Sequence, residues 1–152
     1  MRLAYVCADR GIQLPGEGGA ASHFGGLLRA LAARGVEVDA YVVRGDGGVA
    51  GAARTIRLRP PAAAVELRAH SAGGRYAGAA EELWSALLNP VLEGELRAAH
   101  AARPYDAVLE RLSVWSFSLP TVCHELGIPH LLEVNARIIE EQGRHFGIAL
   151  ED

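Results

Sequence analysis

The chain has no lysine: apart from histidine, every cationic side chain among its 152 residues is arginine. Together with abundant alanine and glycine this reads as a coding bias, and no function follows from it. Basic runs and tails are missing as well. With a formal net charge of -3 and a pI near 6.1, nothing in the overall charge drives the protein toward nucleic acid or an anionic membrane. No stretch approaches the ~20 apolar residues of a spanning helix, and the apolar part of M-R-L-A-Y-V-C-A-D-R is too short for a signal peptide. Cysteine is scarce. Cys7 and Cys123 lie far apart without C-x-x-C spacing, so they read as two buried free thiols, which fits a reducing compartment and predicts a cytoplasmic protein. At 50% hydrophobic composition, the chain suits one domain with a real core, and a second domain does not fit.

What is there centres on Asp9 to Gly35, D-R-G-I-Q-L-P-G-E-G-G-A-A-S-H-F-G-G-L-L-R-A-L-A-A-R-G. An apolar strand candidate, Leu3 to Ala8, precedes it. Phe24, Leu27, Leu28, Leu31 and Ala32 then fall at the spacing of one buried helix face, which Gly35 closes. Gly18 and Gly19 stand just upstream of that helix. Glycines let a ligand approach the backbone, and the free N–H groups of a helix start favour an anion such as a phosphate. A glycine-rich surface loop without a ligand fits the same residues.

Strand and helix signals alternate from there on. Val36 to Val42 reads as a second strand, Arg44 to Arg54 as a glycine-rich loop, and Thr55 to Leu58 as a third strand ended by Pro60-Pro61. Residues 61 to 75 show no clear period and fit a loop or a short helix. Tyr76 to Arg103 is helical, and Asn89-Pro90 divides or kinks it because proline lacks an N–H and crowds the preceding turn. Asp106 to Glu110 is a fourth strand. Ser113 is placed to cap a helix from about Val114 to Leu126, with Pro120 inside it and Gly127 at its end. His130 to Val134 is a fifth strand, and Ile138 to Phe146 a last helix.

This alternation implies parallel strands joined by crossovers, an α/β Rossmann-like three-layer sandwich. Leu3 to Ala8 and Asp106 to Glu110, apolar on both faces, belong in its interior. Ligands in such sheets bind at the carboxyl ends of the strands, which singles out the Asp9 to Gly19 loop, Glu110 to Ser113, and Glu133 to Asn135. Gly16, Gly18 and Ala21 satisfy G-x-G-x-x-G/A, yet the first glycine comes about seven residues late for a dinucleotide site. The second strand also runs into Arg44 instead of an acid, which leaves only an NADP reading through Arg44.

The order G-G-x-x-S-H-x-x-x-L-x-x-A-L-x-x-R-G-V-E-V, carried by Gly18-Gly19, Ser22-His23, Leu27, Ala30-Leu31, Arg34-Gly35 and Val36 to Val38, resembles the opening of GT-B glycosyltransferases, notably the retaining family 4. Tyr105 to Arg111, Gly127 to Ala136 and Ile138 to Gln142 are similar to later segments of some members, whereas residues 44 to 75 are generic. The resemblance implies two Rossmann-like domains facing across a cleft, with acceptor recognition mostly in the N-terminal one. The nucleotide-sugar would be held mainly by a C-terminal domain, which this chain does not contain. Gly18 and Gly19 would meet the donor diphosphate, and His23, Glu110, Arg111, Glu133 and Asn135 would face the acceptor. No cofactor beyond the nucleotide-sugar co-substrate is implied. Members often carry His where Asn135 stands, so no His-based catalytic role transfers and the catalytic residues stay open.

Plainer readings run alongside. His23 on a helix flank fits local packing, and Glu110 with Arg111 fits a strand-end ion pair. His100, His124, His130 and His145 lack the partners of a zinc site. Glu140 and Glu141 fit a solvated helix face, and Ser113 and Ser116 have no nucleophile-elbow context. Two classes of function follow: the acceptor-side half of a sugar transferase, expected to be inactive alone, or a stand-alone Rossmann-like binding module.

Overall fold

A computed structural model of the protein describes residues 1–135. The elements run β1 (Arg2–Cys7), α1 (Gly19–Ala32), β2 (Glu37–Val42), β3 (Arg54–Arg57), α2 (Ala62–Ser71), α3 (Ala77–Ala86), α4 (Leu88–Ala102), β4 (Ala107–Arg111), α5 (Leu119–Leu126) and β5 (His130–Glu133). The five strands form one sheet in the order β3-β2-β1-β4-β5, every pairing parallel. β1 is central, as its unbroken apolar run requires, with Cys7 opposite both Val42 and Arg111. The chain turns back across the sheet between β3 and β4, so the switch point of this α/β sheet lies at the carboxyl ends of β1 and β4.

Side-chain alternation along β1 feeds two cores. Leu3, Tyr5 and Cys7 meet Phe24 and Leu28 of α1 on one face, while Ala4 and Val6 meet Leu92 and Leu96 of α4 and Val122 of α5 on the other. Phe24 and Leu28 are fully buried. Burial of that kind is worth about 1.5–3 kcal/mol per side chain, which explains why the apolar stripe of α1 declares itself in sequence. β5 is an edge strand, and Leu131 and Leu132 are half-exposed on it.

Polar groups close the opposite, amino edge of the sheet. Asp39, fully buried in β2, takes Arg2 Nη2 at 2.5 Å, Arg54 Nη2 at 2.8 Å and the Tyr105 hydroxyl at 2.6 Å. A buried carboxylate is tolerable only with such compensation. Burial alone would raise its pKa, but the hydrogen bonds from Arg54 and Tyr105 and the charges of Arg2 and Arg54 outweigh it and hold Asp39 below the ordinary carboxylate range.

Of the loop and the short helix open to residues 61 to 75, the helix is found over 62–71, where only Ala64 is buried, so packing imposed no readable period. Three local expectations need correction. The break between α3 and α4 falls at Leu87, and Pro90 sits in the first turn of α4, where its missing N–H costs nothing. The helix expected from Val114 starts instead at Leu119, with Pro120 in its first turn. Ser113 caps nothing: its hydroxyl donates to the Arg111 carbonyl at 3.2 Å, and Trp115 takes φ 66°, which no helix allows. The helix expected over Ile138 to Phe146, with Glu140, Glu141 and His145, lies outside the described residues.

Candidate functional site

Residues 8–18 separate β1 from α1, and this long connection is tied to the β2–β3 loop. The Leu14 N–H donates to the Arg44 carbonyl at 3.0 Å. Arg57 donates to the carbonyls of Arg44 (2.7 Å), Leu14 (3.0 Å) and Gly47 (2.7 Å), which uses its guanidinium as a clamp between the two loops. Gly45 lets them approach: its φ is 107°, and a Cβ there would lie 2.1 Å from the Leu14 oxygen.

The clamped loops form one wall of an open cleft of about 1200 Å³ along the carboxyl ends of the sheet. Arg10 and Ile12 follow β1, Arg44 follows β2, and Arg57 ends β3 with Leu58 to Pro60 after it; α2 and α3 contribute Arg68, Glu81 and Trp84, and the β4 end contributes Arg111 and Trp115. Both tryptophans of the chain therefore line it. Arg10 and Arg68 share the single carboxylate of Glu81. Burial, and then the facing charge of Arg68, hold the Arg10 pKa below the usual arginine value.

Beside the cleft, on the α1 face, Glu133 gathers four donors. Tyr5 donates its hydroxyl at 2.5 Å, His23 Nε2 lies 2.8 Å away, Arg111 Nη1 donates at 3.0 Å, and the Asn135 amide donates as well. Tyr5 is stacked on Phe24 with ring centroids 4.0 Å apart, so the hydroxyl is aimed by the core. Burial would raise the Glu133 pKa, but the Tyr5 and Asn135 hydrogen bonds and the charges of His23 and Arg111 leave it lowered. A carboxylate held this way is a positioning anion and a poor proton acceptor. Four of the sequence-predicted cleft residues, His23, Arg111, Glu133 and Asn135, thus meet in one cluster, and the fifth does not.

That fifth residue, Glu110, points to the other face because neighbouring strand residues alternate. It is buried, 2.9 Å from His130 Nε2 and hydrogen-bonded to the Ser116 hydroxyl, so it pairs with neither Arg111 nor the cleft. Asn89, buried in α4, anchors the adjoining β4–α5 loop. Its amide donates to the Trp115 carbonyl at 2.7 Å, and its oxygen accepts from the Phe117 and Ser118 N–H groups at 2.8 and 3.0 Å. Sequence reading missed Asn89, since only its pairing with Pro90 drew notice.

Gly18 and Gly19 form the exposed start of α1, and neither has positive φ; the residue of that helix start that lines the cleft is Ala20. Free space surrounds both: an added Cβ would meet nothing within 4 Å. Arg44, the residue of the NADP reading, has Nη1 turned onto the Arg10 carbonyl at 3.3 Å. His100 accepts from the Tyr105 N–H at 3.1 Å, a structural bond, and His124 is exposed. Both thiols are free and buried; burial pushes Cys7 up to about 12 and Cys123 up to about 11, which makes them poor nucleophiles. Among the described residues no group of three or more His, Cys, Asp or Glu is arranged to hold a metal ion, and no helix is long and apolar enough to cross a membrane.

Comparison of the chain with protein-family models finds no match, and comparison with curated proteins finds no significant relative.

Proposed function

We propose that this chain is the acceptor-side, N-terminal domain of a GT-B glycosyltransferase of the retaining family 4 type, moving a sugar from a nucleotide-sugar to an acceptor. The observation that carries this reading is the open cleft at the carboxyl ends of β1 to β4, where an α/β sheet binds its ligand. The cleft is open to solvent. Sugar transfer needs preorganised donors and excluded water, which an open cleft does not provide. A second, donor-binding domain is therefore part of the proposal. In it, the N–H groups at Gly18 and Gly19 meet the donor diphosphate, and the cluster of His23, Arg111, Glu133 and Asn135 flanks the acceptor.

A stand-alone Rossmann-like binding module is the second reading, favoured by the charged, tryptophan-bearing cleft at the carboxyl ends of the sheet, which suits ligand binding without chemistry of its own. The NADP reading draws less support, because residues 8–18 are far longer than a dinucleotide turn. A transfer assay with the purified 152-residue chain and a panel of nucleotide-sugars tests the proposal. No turnover and weak nucleotide-sugar binding are expected from the chain alone, with turnover restored when the donor-binding domain is supplied. Robust transfer by the chain alone would overturn the two-domain reading.

A further inference from the structure

The cleft concentrates positive charge in a chain that is acidic overall. Six arginines and three acids line it, whereas the formal net charge of the whole chain is -3. Pairing inside the cleft leaves much of this charge uncompensated. Arg111 is paired with Glu133, and Arg10 and Arg68 bond to the Glu81 carboxylate, with Asp9 and Glu82 also attracting Arg10; Arg57, by contrast, gives its N–H groups only to neutral carbonyls. The Arg44 side chain makes a single hydrogen bond, again to a carbonyl, and the Arg59 side chain makes none among the described residues. Cations gathered without partners repel one another, and an entering anion relieves that repulsion. Apolar side chains lie directly beside them: the exposed Val65, the half-buried Trp115, and the edge of the largely buried Trp84, over which Arg68 is placed.

We propose that the cleft binds an organic phosphate, its anionic group met by the forked donors of Arg44 and Arg59 and its apolar body laid against Trp84 and Trp115. A phosphate monoester suits the surplus because it carries a charge of about -1.5 to -2 at neutral pH, and a planar guanidinium matches its oxygens two at a time. Resting on the transferase reading, this makes the acceptor a phosphorylated molecule.

The two tryptophans report on the site directly. Cyclohexyl phosphate titrated into the purified chain is expected to change the tryptophan fluorescence saturably, inorganic phosphate to bind more weakly, and cyclohexanol not to bind. Arg59→Glu should weaken binding of cyclohexyl phosphate by at least ~10-fold with an unchanged melting curve, since the Arg59 side chain is exposed and makes no hydrogen bond among the described residues. Arg34→Glu, the same charge change on the α1–β2 turn, should leave binding as in the wild type. Vesicles containing phosphatidic acid separate the sources: pelleting that cyclohexyl phosphate competes away assigns the phosphate to a lipid, and absence of pelleting assigns it to a soluble molecule, either result supporting the site. No saturable response from the wild type, or equal losses from Arg59→Glu and Arg34→Glu, would overturn it. Because the readout is binding alone, its failure leaves room for a transferase with a neutral acceptor, while a failed transfer assay leaves the anion site standing.

Discussion

The hydroxyl of Tyr5, on the central strand, donates a 2.5 Å hydrogen bond to Glu133, the last residue of the edge strand. Two strands that are not neighbours are thereby linked across β4, at the end of the sheet where the cleft opens. Tyr5→Phe keeps the stacking on Phe24 and removes only this bond. A hydrogen bond to a charged group is worth about 1.5–3 kcal/mol, and that loss is expected in urea denaturation. A loss below about 0.5 kcal/mol would mean that the bond carries no net stability.

The same carboxylate sets part of the acid limb of stability. The Glu133 and Asp39 pKa values are lowered in the folded protein. Each group therefore contributes stability that is fully present above its unfolded pKa, near 4, and is lost as the pH falls through the folded value. The melting temperature should drop below about pH 4.5. Glu133→Gln should flatten that drop, leaving the Asp39 part. An acid limb identical in Glu133→Gln and wild type would contradict the assignment.

Asp39→Asn should be the most damaging single change. It leaves the buried Arg2 guanidinium with only the more distant Glu37 carboxylate, 3.7 Å from its Nε, and breaking a buried pair from one side costs about 3–5 kcal/mol. Arg54→Ala removes a half-exposed partner of the same carboxylate and should cost about 1 kcal/mol or less. Equal losses for the two variants would show that Asp39 is better solvated than its burial implies.

The sheet was legible because strands apolar on both faces belong inside a parallel sheet, and α1 because Phe24 and Leu28 sit on one buried stripe. α2 hides in sequence, since nine of its ten residues are not buried. The late start of α5 was illegible for a different reason: it is imposed from a distance by Asn89, which holds residues 115–118 out of the helix. His23, Arg111, Glu133 and Asn135 were named individually, but Tyr5, which binds them into a cluster, sits inside an ordinary apolar run. The arginine-rich cleft left no sequence signal at all. Arg10, Arg44, Arg59 and Arg68 come from four separate segments, and only folding brings them to one place.

The Asn89 anchor predicts a local dynamic effect. Asn89→Ala leaves the Phe117 and Ser118 N–H groups without their acceptor and frees the Trp115 carbonyl, at a cost of about 1–3 kcal/mol. Hydrogen exchange should accelerate at those two amides while the β1 amides keep their protection relative to global stability. Unchanged exchange at 117 and 118 would show that the loop is held by something other than Asn89.

Gly19 offers the most direct test of the transferase account. Its backbone lacks positive φ, and an added Cβ meets nothing within 4 Å, so Gly19→Val is free of strain within the domain. Any penalty must come from a ligand approaching the start of α1. In the two-domain transferase proposed above, the account predicts a melting temperature within about 2 °C of wild type and a fall in sugar transfer of at least ~100-fold, as expected when backbone donors to a diphosphate are blocked. Unchanged transfer per folded molecule would contradict it and return the Gly18-Gly19 turn to an ordinary surface connection.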